Sequence, residues 1–332
     1  MADFTLNTVN GPIAIDALGK TLMHEHLVVG FSGWESDTGV YPASRREIVA
    51  RCVDTVQELI DNGFSSLLDP CPNDLGRDVE LMGEVASRTG FNILFATGLY
   101  DEIYGSSYWK TKVAFDPDAE SYIRDMYVRE ITEGIGATGS KPAVIKIATG
   151  PAPFPDYELT VMRAAAAAAQ ITGVPITTHT AAVDGDKQVA YLTEHGMRPE
   201  QLIIGHSCGS NDHAYHTDIC NAGAYIGFDR FGLTMANSDE ARIEGLKAVL
   251  DRGHERSVII SHDCTFHMQG QVVSKVAQDE LLAVKPMHFT RVIAPQLLSL
   301  GVEAATIEAM LIDNPRSYFS GRSPLVDAHA RA

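Results

Sequence analysis

The sequence predicts one α/β domain over residues 1–332, a (β/α)8 TIM barrel. Three observations carry that expectation. Short apolar, β-branched runs alternate with helical stretches along the whole chain, which is the pattern of βα units. Eight such runs can be placed. Five of them end on a nitrogen or oxygen donor: Thr21-Leu22-Met23 on His24, Val144-Ile145 on Lys146, Val174 to Thr178 on His179, Leu202 to Gly205 on His206, and Val258 to His262 on Asp263. Donors at the ends of parallel barrel strands converge on one face.

In order, strands are expected near 22–28, 65–69, 91–97, 143–148, 174–179, 202–206, 223–228 and 257–263. Helices are expected near 44–62, 77–89, 117–134, 156–172, 184–195, 212–221 and 238–252, with a closing helical region from 287 to 319. Several boundaries carry their own chemistry. The helix after Lys146 starts at Asp156, an N-cap type, and runs through the alanines between Arg163 and Gln170. Gly173 stops it and Pro175 prevents its continuation. Asn62-Gly63 and Arg88-Thr89-Gly90 end two other helices just before strands. No linker or repeat divides the chain.

Composition narrows the partners. With 26 Lys+Arg against 43 Asp+Glu the formal charge is −17, a field that repels phosphate backbones and anionic lipid surfaces. Nucleic acid and membrane partners are therefore not expected, and a small-molecule substrate is. Cys52, Cys71, Cys208, Cys220 and Cys264 are odd in number and lack C-x-x-C spacing, which points to reduced thiols. The stretch from Met1 has no basic region followed by an apolar one, so no signal peptide is read and a cytoplasmic setting is expected.

His24 and His26 stand at i and i+2, so on a strand they face the same side and can bind one metal ion. His179 and His206 follow strands that open on the same rim. Asp263, at the end of the last strand, can ligate a metal and accept a proton from water. Lys146 lies in the apolar run Pro142 to Ala148, and a lone buried cation is costly. It must be neutralised, paired or chemically modified, or else serve as a desolvated Schiff-base amine.

These motifs resemble the phosphotriesterase family of the amidohydrolase superfamily. The resemblance begins at Leu18 to His26 and continues through Ile145 to Ala148, Thr177 to Thr180, Ile204 to Ser207 and Ser261 to Asp263, with Ile312 to Arg316 like the family's final helix. It implies a binuclear centre. His24, His26 and Asp263 would hold the more buried metal, and His179 and His206 the more exposed one. Lys146, carboxylated by carbon dioxide, would bridge them together with a hydroxide. Two divalent ions are implied, zinc by donor type, with iron, cobalt or manganese as alternatives. The bridging hydroxide would be the nucleophile and Asp263 would carry its proton away. A homodimer is implied as well.

Two patches resemble the lactonase-like branch. Thr97 to Tyr100 places Tyr100 where an aromatic reaches the metals. Gly227 to Gly232 places Asp229 and Arg230 as an acid–base pair beside the site. Tyr100, Arg230 and Asp263 are thus the candidate catalytic residues, and Arg230 is expected to pair with Asp229 or to line the pocket. The position three residues after His206, often aspartate in the family, is Gly209, so a proton relay from Asp263 would use His262, Asp229 or water. Phe31, Trp34, Tyr104, Tyr108 and Trp109, with Phe266, Met268, Val272 and Val273, are expected to wall an apolar pocket. The leading expectation is a lactonase with weak phosphotriesterase activity. The alternatives are a dedicated triesterase or amidase on the same centre, and a catalytically inactive metal- or small-molecule-binding barrel.

Overall fold

The structure, a computed structural model, describes residues 5–325. Residues 1–4, read above for a leader, and 326–332, the end of the expected domain, lie outside the described residues. An antiparallel hairpin, β1 (Thr5–Thr8) and β2 (Gly11–Ala14), opens the chain. Eight parallel strands follow in one nearly closed barrel. They are β3 (Thr21–Leu22), β5 (Ser66–Asp69), β6 (Asn92–Gly98), β7 (Val144–Ala148), β8 (Ile176–His179), β9 (Leu202–Ile204), β10 (Tyr225–Phe228) and β11 (Val258–Ile260), neighbours in that order. A separate parallel pair, β4 (Glu25–Gly30) and β12 (Cys264–Gln269), rises above the rim.

The first and last barrel strands differ from expectation in an informative way. The run expected over 22–28 breaks at Met23-His24 into β3 and β4. The run expected over 257–263 ends at Ile260, turns through Ser261 to Asp263, and resumes as β12, a strand not expected from sequence. The His24 amide donates to Ser261 Oγ at 2.8 Å and the Asp263 amide donates to the His24 carbonyl at 3.0 Å. The barrel seam is therefore closed at the two positions that turn donors inward.

Below that level the interior is packed shut. Met23, Leu68, Leu94, Val144, Ile203, Tyr225 and Ile259 form one buried cluster, and Leu6 of the unanticipated hairpin joins its floor. Full burial of each aliphatic side chain contributes about 1.5–3 kcal/mol. Side chains alternate along a strand, so Lys146, two residues past Val144, points into the barrel just above this plug.

The helices lie close to their expected ranges: α1 (Arg45–Asp61), α2 (Val79–Thr89), α4 (Ala119–Glu133), α5 (Asp156–Thr172), α6 (Gly185–Glu194), α7 (His213–Asn221) and α8 (Asp239–Asp251). Two were not expected, α3 (Ser107–Phe115) and α9 (Lys275–Ala283). Ser44 and Glu47 form a reciprocal capping box at α1. Pro155 takes the N-cap of α5, so Asp156 is its first residue, where its charge still complements the helix dipole. Ala164, Ala165, Ala166, Ala168 and Ala169 are buried, which lets neighbouring backbones approach closely. The closing region is not one helix. It comprises a π-turn (Phe289–Ile293), α10 (Ala294–Ser299), α11 (Ala304–Leu311) and α12 (Asp313–Phe319). Among the described residues no helix is long and apolar enough to cross a membrane, and all five cysteines are free and buried.

Candidate metal centre

The structure brings all six expected donors to one spot above the plug. His26 Nε2 lies 3.2 Å and His24 Nε2 3.7 Å from Asp263 Oδ1, while His206 Nε2 lies 3.9 Å from Asp263 Oδ2. The His206 and His179 rings are 4.5 Å apart, and those of His24 and His206 are 4.6 Å apart. Lys146 Nζ is 3.3 Å from His24 Nε2 and donates to the Thr178 carbonyl at 3.1 Å. Backbone geometry aims two of these groups. His206 and Asp263 have φ of 60° and 55°, a region costly for residues with a Cβ and tolerated where the surrounding structure imposes it.

Carboxylates behind the donors complete the arrangement. Asp229 places Oδ2 3.1 Å from His24 Nδ1 and Oδ1 3.1 Å from His206 Nδ1, and accepts from the His206 amide. Asp69 Oδ1 is 3.3 Å from His26 Nδ1, and its Oδ2 accepts from the Leu27 amide at 2.8 Å. With Nδ1 committed in this way, Nε2 of His24 and His206 turns toward the centre, whereas His26 Nε2 faces Asp263, and against the pull of burial Asp263 and Asp69 hold His26 well above the usual imidazole range. Imidazole ligands are oriented by this kind of support. Asp69 was not singled out from sequence; its one signal is a carboxylate ending the apolar run Leu67-Leu68. Glu25 lies inside the first motif, between the two histidines. Its Oε1 lies 2.6 Å from His262 Nδ1 and its Oε2 accepts from the Cys264 amide, tying the two halves of the seam.

Charge in the site is strongly perturbed. Burial drives His24 down to about 3, helped by Lys146, so its imidazole is neutral. Burial likewise lowers His179 and His206. Burial holds Lys146 down to about 8 although Asp263 and Asp229 favour its charge. For Asp263 burial acts upward, yet His206, Arg230 and the His26 contact outweigh it and keep the carboxyl well below its usual range. The donor set is thus three neutral imidazoles, His26, an ionised carboxylate and a buried amine. That chemistry fits a pair of divalent ions.

Three expectations about the surroundings are corrected. Arg230 does not pair with Asp229, which is occupied by the two histidines; its Nε donates to Asp263 Oδ2 at 2.9 Å. His262 is not available to a relay, because Nδ1 faces Glu25 and Nε2 accepts from the Phe289 amide at 3.0 Å. The apolar residues do not wall one pocket. Phe31 packs with Tyr100 on Val29, Cys71 and Leu75, whereas Trp34, Tyr108 and Trp109 line a separate cleft of about 750 Å³ with Asp74, Arg77 and Asp78. Phe266 and Met268 are buried in β12 and Val272 is exposed. Asp212 caps α7, accepting from the Ala214 amide. Tyr100 stands where expected, its hydroxyl 3.2 Å from His179 Nδ1, and burial raises its pKa, so the phenol is neutral.

The family model described as the phosphotriesterase family matches residues 4–319. A phosphotriesterase homology protein of Mycobacterium tuberculosis is 33% identical over 322 residues, covering 95% of this chain and 97% of the relative. An aryldialkylphosphatase of Saccharolobus solfataricus is 32% identical, covering 91% and 95%. Among solved structures, the organophosphorus hydrolase of Deinococcus radiodurans superposes with a TM-score of 0.90 at 35% identity, covering 95% of this chain and 96% of that one. A variant from the same organism is described as a PTE-like lactonase.

Proposed function

The chain belongs to the phosphotriesterase family, and from that premise we propose that it is a binuclear metal-dependent hydrolase acting first on lactones, with aryl phosphotriesters as slow secondary substrates. His24, His26 and Asp263 would hold one ion and His179 and His206 the other, with Lys146, as a carbamate, as a further ligand. Zinc suits these donors. Addition of carbon dioxide to the Lys146 amine, with loss of a proton, would convert a buried group beside His24 and the Thr178 carbonyl into an anion. When bound, the ions supply Lewis acidity toward a carbonyl or phosphoryl oxygen and lower the pKa of water.

The protein's own groups do the rest. Asp263, held ionised by Arg230, accepts the proton of the attacking water. Its Oδ2 lies 2.9 Å from Arg230 Nε and 3.9 Å from His206 Nε2. Tyr100, a neutral phenol at the edge of the histidine cluster, donates a hydrogen bond to the leaving ring oxygen of the lactone. The observation that carries the lactone reading is the Tyr100 hydroxyl, 3.2 Å from His179 Nδ1 at the edge of the histidine cluster.

A steady-state panel tests it: γ- and δ-lactones, acyl-homoserine lactones, aryl phosphotriesters and N-acyl amino acids, with and without a chelator. Chelator-sensitive kcat/KM values that favour lactones by orders of magnitude support the reading. A preference for phosphotriesters or amides sinks the substrate assignment and keeps the centre. No turnover with two ions bound sinks the enzymatic reading itself.

A further inference from the structure

Arg230 reaches Asp263 from a tight turn, and that turn is held from behind by groups the chemistry above does not use. The Leu233 amide donates to the Arg230 carbonyl at 3.1 Å, and Gly232 supplies the positive φ, 90°, that such a turn needs at its third residue. Phe231 is fully buried against Phe289, their ring centroids 5.4 Å apart. Asp239, the first residue of α8, accepts from the Gly232 amide at 2.9 Å through Oδ1. Arg242, one turn further along α8 and wholly buried, donates to the Leu233 carbonyl at 2.8 Å and contacts Asp239 Oδ1 at 3.3 Å. The other oxygen of Asp239 lies 2.6 Å from His288 Nε2.

His288 belongs to the returning chain that is bonded to His262, the residue before Asp263. The next residue, Phe289, donates its amide to His262 Nε2, and His262 is held by Glu25 of the first motif. The His288 ring also lies against Gly232, where a Cβ would meet it at 3.3 Å. One carboxylate therefore joins the turn that carries Arg230 to the segment that holds His262, the neighbour of Asp263.

We infer that Asp239 is a positioning residue for the reaction: its bonds to Gly232 and His288 set the distance between Arg230 and Asp263. The inference rests on the reading of Arg230 and Asp263 as working groups of the site. Placement errors of about 1 Å near reacting groups cost about 100-fold in rate, so a latch of this kind has leverage without touching substrate.

The test is a double-mutant cycle on the metal-loaded protein, comparing Asp239→Ala, Arg230→Ala and the pair, with metal content and thermal melting followed alongside. Asp239→Ala is expected to lower kcat/KM on the best panel substrate by about 10- to 100-fold at unchanged metal content. In the Arg230→Ala background the same change is expected to alter the rate by less than about twofold, because coupled residues are non-additive. His288→Gln, which keeps a donor for Asp239, is expected to retain most of the rate that His288→Ala loses. Equal losses in both backgrounds, or loss of metal, overturn the inference. Should Asp239→Ala fail to fold, Asp239→Asn enters the same cycle. A crystal structure of the variant gives a reading independent of turnover: Arg230 displaced from Asp263 supports the latch, and a retained 2.9 Å contact overturns it even if the substrate proves not to be a lactone.

Discussion

His24 and His206, far apart in the sequence, are braced by one carboxylate: Asp229 sits 3.1 Å from Nδ1 of each. A single group thereby fixes the tautomer of an imidazole assigned to each of the two ions. Asp229→Asn should weaken metal binding or activity by about 10- to 100-fold, the range for groups that orient ligands. Metal titration monitored by activity checks this. An unchanged metal affinity with full turnover would remove Asp229 from that role.

Lys146 is the member of the site hardest to explain as an ordinary lysine, being buried with one imidazole and one carbonyl beside it. Lys146→Ala should lower metal content and abolish turnover, and short carboxylic acids should restore part of both by standing in for the carbamate. Metal analysis with added propionate or acetate is the measurement. Full metal occupancy and normal rates in the unsupplemented variant would eliminate the bridge.

Tyr100 separates the two substrate classes. Loss of one well-placed donor to a developing oxyanion costs about 100-fold, so Tyr100→Phe should cut lactone kcat by about that factor. Aryl phosphotriesters, whose leaving groups need less help, should change little. Equal effects on both would return Tyr100 to packing against Val29 and Leu75.

Much of this site was legible because parallel barrel strands are buried on both faces and read as apolar runs, so a polar residue at a run's end stands out. That logic located His179 and His206 and ordered the helices between them. It failed where the chain breaks. Met23-His24 and Ser261 to Asp263 interrupt strands within otherwise continuous runs, and only the seam contacts reveal it. The alternation Cys264, Phe266, Met268 against Thr265, His267, Gln269 was a strand signal, but its partner, Glu25 to Gly30, was hidden in the first strand. The aromatic run of α3 lacks an amphipathic period, which is why no helix is expected there from sequence. Arg230 with Asp263, and Asp69 with His26, are pairings between distant residues that no local pattern encodes.

The close approach of strands around Lys146 has its own requirement. Gly98, the last residue of β6, pairs with Lys146, and a Cβ there would lie 1.8 Å from the Lys146 carbonyl oxygen. That atom belongs to backbone and cannot swing aside. The strands would have to separate at the residue that holds Lys146 over the plug. Overpacking a dense interior costs about 1–3 kcal/mol when side chains can yield, and a clash with fixed backbone falls at or above the upper end. Gly98→Ala should therefore lower the melting temperature markedly and reduce metal content along with it, since β6 and β7 part where Lys146 projects. Substitution at Gly63, which has positive φ but nothing within 4 Å of its Cβ, should cost less and leave metal content intact. Differential scanning calorimetry and metal analysis on the two variants decide the point. Equal destabilisation would show that backbone strain alone, and not the approach of β6 to Lys146, is what glycine relieves at position 98.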